Sequence, residues 1–164
     1  MRLTLAAVGR LKAGPDRLLF ERYWERLQSS GRKVGITSRK LVELPESRAQ
    51  TVAERKSDEA QRLLRAATAD SAPPPLLIVL DEAGKSLSSA DFAAFLGHHK
   101  DSGRAMCGIL IGGPDGHGAE VLSNANLILS LGAMTLPHGL ARILVAEQLY
   151  RATTILAGHP YHRS

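Results

Sequence analysis

Hydrophobic positions recur along this chain at two spacings, and the spacing switches several times. Arg2–Val8 alternates, with Leu3, Leu5 and Ala7 on one face, which is the period of a strand. "KAGPD" breaks the pattern. From Asp16 to about Ser29, Leu18, Leu19, Tyr23 and Leu27 fall at helical spacing. Lys33–Leu44 reads as a second strand through Val34, Ile36, Leu41 and Val42, with a polar middle. Ser47 to about Ala69 predicts a charged helix whose apolar stripe is Val52, Ala60, Leu63 and Leu64.

Pro73, Pro74 and Pro75 stop that helix, because proline fixes φ and has no amide donor. "LLIVLD" follows as a continuous apolar run, expected of a parallel strand covered on both faces. "EAGK" predicts a turn, and Ser88 with Asp91 predicts a shortened capping box that opens a helix to about His99. "MCGILI" is the next buried strand, ended by "GGPDGHG". A short helix over roughly Ala119–Ala125, the strand "LILSL", the loop "GAMTLPH" and a last helix from about Gly139 to Leu156 complete the chain. Strands separated by helices predict an α/β fold with a largely parallel sheet. The part before the prolines has only two candidate strands, so one domain over residues 1–164 is expected.

Composition narrows this picture. Hydrophobic residues make up 44% and charged residues 23%, ordinary values for a soluble globular protein. No apolar run approaches the roughly 20 residues needed to cross a bilayer, so no membrane partner is expected. "MRLTLAAVGR" is too short and too strand-like for a signal peptide. Cys107 is the only cysteine, which fits a reducing cytoplasm. The net charge of +5 is unevenly placed: residues 1–75 carry 15 Lys+Arg against 9 Asp+Glu, and residues 76–164 carry 6 against 7. The first half therefore has the electrostatics of a surface that faces a polyanion.

Open α/β sheets bind ligands beyond the carboxyl ends of their strands. Three loops qualify: "LDEAGK", "IGGPDGHG" and "LGAMTLPH". The second lacks the Lys-Ser/Thr of a phosphate loop and the spacing of a dinucleotide fingerprint, so phosphoryl and hydride transfer both lose ground. The third carries Leu131, Met134 and Leu136 and suits the wall of a pocket for a flat group such as adenine. The last helix is apolar on nearly every side, so one face meets the sheet and the other needs a partner, most cheaply a second copy. Glu147 and Arg151 are spaced to pair with each other, whereas Arg142 has no obvious partner. His138, His159 and His162 cluster near the end, but their spacing fits no standard metal pattern and no metal is expected.

"LIGGPDG", "LSLGAMTLPH" and "RILVAEQLYRATTILAGHPYH" resemble the family of 23S ribosomal RNA pseudouridine N3-methyltransferases, a single-domain branch of the SPOUT methyltransferases. The likeness runs over nearly the whole chain and includes "AVGRLKAG" at its start. It implies a C-terminal deep trefoil knot, a topology that ordinary threading rules exclude as a first guess. It also implies a homodimer and bound S-adenosylmethionine, with 23S rRNA in the ribosome as partner. By resemblance, Leu80, Gly112, Gly113 and the run Leu131, Gly132, Ala133, Met134, Thr135 and Leu136 surround the cofactor. His138, Arg142, His159, Tyr161, His162 and Arg163 become the candidate catalytic set. In that set Arg142 and Arg163 would contact RNA or an anion, His159 and His162 would act as base or orienting groups, and Tyr161 would stack on a base. The polar tail would fold over a cofactor pocket.

Three positions depart from the family pattern: Thr153 stands where an aromatic residue is expected, His117 where a bulky apolar residue is expected, and Gly139 where a larger side chain is common. Looser packing near the pocket is the expected result. Two other functions fit the same residues: a non-catalytic ribosome assembly factor, and a SPOUT enzyme with a different RNA target. Cofactor binding separates the first, and mapping of the methylated nucleotide separates the second.

Overall fold

The computed structural model describes residues 1–69 and 73–161. Five strands, β1 (Arg2–Val8), β2 (Thr37–Leu44), β3 (Leu76–Ser86), β4 (Met106–Ile111) and β5 (Leu127–Ser130), form one sheet in the order β2-β1-β4-β3-β5. Every neighbouring pair is parallel. Helices α1 (Pro15–Gly31), α3 (Ser89–Asp101) and α5 (His138–Leu156) cover one face, and α2 (Val52–Thr68) and α4 (Ala119–Ser123) the other. Strand alternation divides the core. Leu3, Leu5 and Ala7 of β1 pack with Phe20, Phe92 and Ala146, while Ala6 and Val8 pack with Ala60, Leu63 and Val121. Among the described residues, no helix is long and apolar enough to cross a membrane.

Local chemistry moves several predicted boundaries. Arg32–Val34 is a 3₁₀ turn, and β2 starts only at Thr37. Gly35 takes a left-handed φ of 70°, which ends the turn. The second helix starts at Val52, not near Ser47, because Thr51 and Glu54 form a full capping box. The Thr51 Oγ1 accepts from the Glu54 N–H at 3.2 Å, and the Glu54 carboxylate accepts from the Thr51 N–H at 3.0 Å. At Ser88 the hydroxyl accepts from the Asp91 N–H and donates to its carboxylate. "EAGK" is not a free turn. Leu80 and Lys85 both sit opposite Leu129 of β5, so residues 81–84 leave the sheet and return within β3. Gly84 passes so close to β5 that a Cβ there would lie 2.7 Å from the Ile128 carbonyl carbon.

The three departures are tightly packed, contrary to the expected looseness. Thr153 is fully buried, and its hydroxyl donates to the Tyr150 carbonyl and meets the Ser30 hydroxyl at 2.6 Å, joining α5 to α1. A Cβ on Gly139 would lie 2.9 Å from Asp16 Oδ2. His117 is buried beneath the site described next.

Candidate functional site

All five strands point the same way, so their carboxyl ends share one edge, and three of the loops there enclose a cleft of about 460 Å³. Leu80 contributes from β3, Gly112 and Gly113 from the loop after β4, and Leu131, Gly132, Met134, Thr135 and Leu136 from the loop after β5. His138, the first residue of α5, stands at the wall as well. Ala133 belongs to the same loop but does not line the cleft. Lys56, Asp81, Glu82 and Asp115 also line it without having been named from the sequence, and so does His117, noted there only as a departure from the family pattern. Four of these lie in or beside "LDEAGK" and "GGPDGHG", so the loop argument reached their neighbourhood; Lys56, on α2, carried no signal.

The glycines keep the floor thin. A Cβ on Gly113 would lie 2.7 Å from Glu59 Oε2 and 3.0 Å from Val8 Cγ1, and one on Gly112 would lie 3.2 Å from the His117 ring. His117 Nε2 donates to the Leu80 carbonyl at 3.0 Å, which ties the β4 loop to the end of β3. A carbonyl can only accept, so the proton sits on Nε2 and Nδ1 is a bare acceptor, buried and without a partner among the described residues. Burial lowers the pKa of this imidazole, outweighing the Leu80 carbonyl and the charge of Asp81, so the ring is neutral near pH 7. Across the loop, Arg55 donates to Asp115 at 2.6 Å and holds that carboxyl below its ordinary range.

Arg142 is not at the cleft. It is only 1% exposed, because its side chain reaches from α5 to the carboxyl end of β1 and to Glu43 of β2. Its Nη2 donates to the Val8 and Gly9 carbonyls at 2.7 and 2.9 Å, and its Nη1 donates to Glu43 Oε1 at 3.0 Å. Glu43 also accepts from the Leu11 N–H and from Arg17 Nη2, both at 2.8 Å. Burial alone would raise the Glu43 carboxyl; the Leu11 amide, the Arg17 fork and the two guanidinium charges overcome it and hold the group below its ordinary value. Burial likewise lowers the Arg142 pKa, against the pull of Glu43. In this chain the Arg142 Nη groups thus bind its own backbone and Glu43 and do not face the cleft, and its buried Nε–H has no partner among the described residues.

The tail is docked on its own helix. The Tyr161 ring sits 4.7 Å from that of Tyr150 and under the Arg151 guanidinium, and its hydroxyl donates to Glu147. Glu147 also accepts from Arg151 at 2.6 Å, the pairing expected from their spacing, and from Gln148. Burial raises the Tyr161 pKa, and the Glu147 charge adds to that. Neither His159 nor Tyr161 lines the cleft of this chain. His162 and Arg163 lie outside the described residues. Beside the cleft a second hollow of about 280 Å³ is walled by Leu87, Phe92, Leu131 and Leu144, and Leu140 and Leu144 of α5 are 44% and 38% exposed.

A family model described as "Predicted SPOUT methyltransferase" matches residues 1–162. A protein of Brucella anthropi named "Ribosomal RNA large subunit methyltransferase H" is 51% identical over 164 residues, spanning 100% of both chains. Its namesake in Brucella abortus (strain S19) is 50% identical over 169 residues, again across 100% of both.

Proposed function

The chain belongs to the SPOUT methyltransferase family, and on that premise we propose that it transfers a methyl group from S-adenosylmethionine to N3 of a pseudouridine in 23S ribosomal RNA, on assembled ribosomes in the cytoplasm. The observation that carries this reading is the junction of three sheet-edge loops around one cleft, in a chain matched from end to end by relatives named for large-subunit rRNA methylation.

The cleft fits the proposed donor. Its volume is in the range of small-molecule sites. Gly112 and Gly113 leave bare backbone where a Cβ would crowd the His117 ring at 3.2 Å or collide with Glu59 at 2.7 Å, and Leu131 and Leu136 offer apolar cover for a purine. Asp81 and Glu82 supply negative charge for a ligand that carries a sulfonium and an ammonium, Asp115 being paired with Arg55. When bound, the cofactor supplies an electrophilic methyl group. We further propose that the part of the chain from β5 onward forms the family's trefoil knot; support comes from the sheet order, in which β3 lies between two strands that follow it in sequence.

Methyl transfer is chiefly a positioning problem, plus removal of the N3 proton of the target base. We assign the proton to an imidazole of the tail, His159 or His162, with Tyr161 stacking on a base, Arg163 holding the developing anion or a phosphate, and His138 orienting at the cleft wall. In this proposal His138 serves the cleft of its own chain, and His159 and Tyr161 serve that of a second subunit. Glu147 and Tyr150, to which Tyr161 is bound, lie nine and twelve residues beyond His138 on α5, or about 14 and 18 Å along its axis. The exposed Leu140 and Leu144 beside the second hollow are the apolar surface such a homodimer would bury.

The test is tritium transfer from labelled S-adenosylmethionine to ribosomes that lack the modification, followed by mapping. One labelled pseudouridine in 23S rRNA, at N3, is the expected result. Absence of transfer together with absence of cofactor binding would overturn the enzymatic reading in favour of an assembly factor, and label elsewhere would give the enzyme another RNA target.

A further inference from the structure

The cleft has two flanks of opposite charge. On the β3 side stand Asp81 and Glu82, on the excursion that leaves the sheet, with Lys85 at its end. On the β1–β2 side, Arg10 and Lys12 lie exposed in the loop after β1, Arg48 lies exposed in the loop after β2, and Lys56 stands at the cleft wall. None of these four cations has a hydrogen bond or ion pair with another described residue, in contrast to Arg17, Arg55, Arg62 and Arg142, whose charges are spent inside the chain. Glu46, close to Gly9, and Asp16, close to Gly139, are the unpaired acids beside them, so the flank stays net positive.

Both basic loops are fixed relative to the cleft. Arg142 holds the Val8 and Gly9 carbonyls, Glu43 holds the Leu11 N–H, and Arg17 holds the Leu11 carbonyl at 2.6 Å, so the backbone on either side of Arg10 and just before Lys12 is anchored. The same loop abuts the start of α5, where Leu11 and Asp16 close on Gly139, next to His138 of the cleft wall. In the second loop the Ser47 N–H, one residue before Arg48, donates at 2.8 Å to Glu59, whose other carboxylate oxygen backs Gly113 of the cleft floor. The charges are mounted on the frame of the site itself.

We propose that this β1–β2 flank, with Arg10, Lys12 and Arg48, is the dock for the rRNA sugar-phosphate backbone, so that the substrate strand enters the cleft from that side and not over Asp81 and Glu82. The proposal rests on the function proposed above and gives it a direction. Phosphates neutralised by exposed Lys and Arg release counterions, which makes binding salt-dependent. Phosphates carried over Asp81 and Glu82 would meet like charge.

The test compares two charge reversals at opposite ends of the sheet. R10E/K12E changes the dock; R32E/K33E changes exposed cations in the turn before β2, at the amino edge. Both variants are first melted to verify folding and titrated with S-adenosylmethionine to verify the cleft. Methyl transfer to unmodified ribosomes is then followed against ribosome and salt concentration, with R48E as an independent probe of the second loop. R10E/K12E is expected to raise KM for ribosomes by about tenfold or more and to flatten the logarithmic salt dependence by roughly 1.5 to 2, at unchanged cofactor affinity. R48E is expected to act in the same direction, and R32E/K33E to stay within about twofold of the parent. A parent that transfers while R10E/K12E and R48E keep its KM and salt slope would overturn the docking flank alone. Equal losses in R32E/K33E would overturn it too, by showing that only net charge matters. A parent that transfers to no ribosome would take both proposals down together.

Discussion

Replacing Arg142 by Met should damage the fold before it damages the chemistry. The methionine keeps an apolar stem of similar length but removes every donor. The Val8 and Gly9 carbonyls then lose their Arg142 donor in a region where the side chain is 1% exposed, and Glu43 keeps only the Leu11 amide and Arg17. Stranding a buried polar group costs about 1 to 3 kcal/mol, and breaking one side of a buried ion pair about 3 to 5 kcal/mol. These are overlapping accounts of one loss, so a total of about 3 to 5 kcal/mol is expected, equivalent to a fall of roughly 6 to 20 °C in Tm for a chain of this size. Urea unfolding followed by circular dichroism measures it, at one fixed protein concentration so that subunit association does not enter. The cycle R142M, E43Q and R142M/E43Q should show a coupling of at least about 1 kcal/mol, because the double variant no longer strands a carboxylate. A loss under about 1 kcal/mol, combined with abolished methyl transfer, would refute the reasoning and return Arg142 to the reaction centre.

Three further outcomes follow from the same geometry. Glu43 is held below its ordinary pKa in the folded chain, so its contribution to stability is fully present above the ordinary glutamate value and is lost as pH falls through the lower folded-state value; E43Q should flatten the acid limb of a stability-against-pH curve. Burial pushes the Cys107 thiol up to about 12, so a disulfide reagent at pH 8 should leave the folded protein unmodified and react with one thiol per chain only after denaturation. G113A should cost about 1 to 3 kcal/mol and weaken S-adenosylmethionine binding in calorimetry, since its methyl group would meet a carboxylate already anchored by Ser47; unchanged affinity would mean that Gly113 is not part of the cofactor floor.

Local pattern carried much of the architecture. Leu3, Leu5 and Ala7 alternate because one face of β1 meets α1, α3 and α5, and "MCGILI" is continuous because β4 is covered on both sides. The three sheet-edge loops were legible too, since a parallel sheet collects its strand ends on one edge. What failed was long-range or ambiguous. Arg142 and Glu43 are 99 residues apart, and no local spacing announces their pair, so a buried structural guanidinium passed for a free one. The Thr51–Glu54 box was present as letters but lay inside a charged stretch that invites an earlier helix start. His117 carried a weak signal within a glycine-rich loop, and its bond to Leu80 depends on how β3 and β4 lie side by side. For Lys56 the amphipathic pattern of α2 says only that the side chain is off the apolar stripe.

The detour of residues 81–84 has a consequence of another kind. Because β3 rejoins β5 after Gly84 and Leu129 answers both Leu80 and Lys85, the acidic stretch is bolted to the scaffold by main chain at both ends, with the Asp81 carboxylate accepting from the Ala83 N–H at 3.0 Å within it. Asp81 and Glu82 can then be exchanged for neutral or basic residues while the surrounding core keeps its shape. The electrical taste of the cavity is thus adjustable separately from the architecture, which makes these two positions a practical starting point for retuning it to donors of different charge.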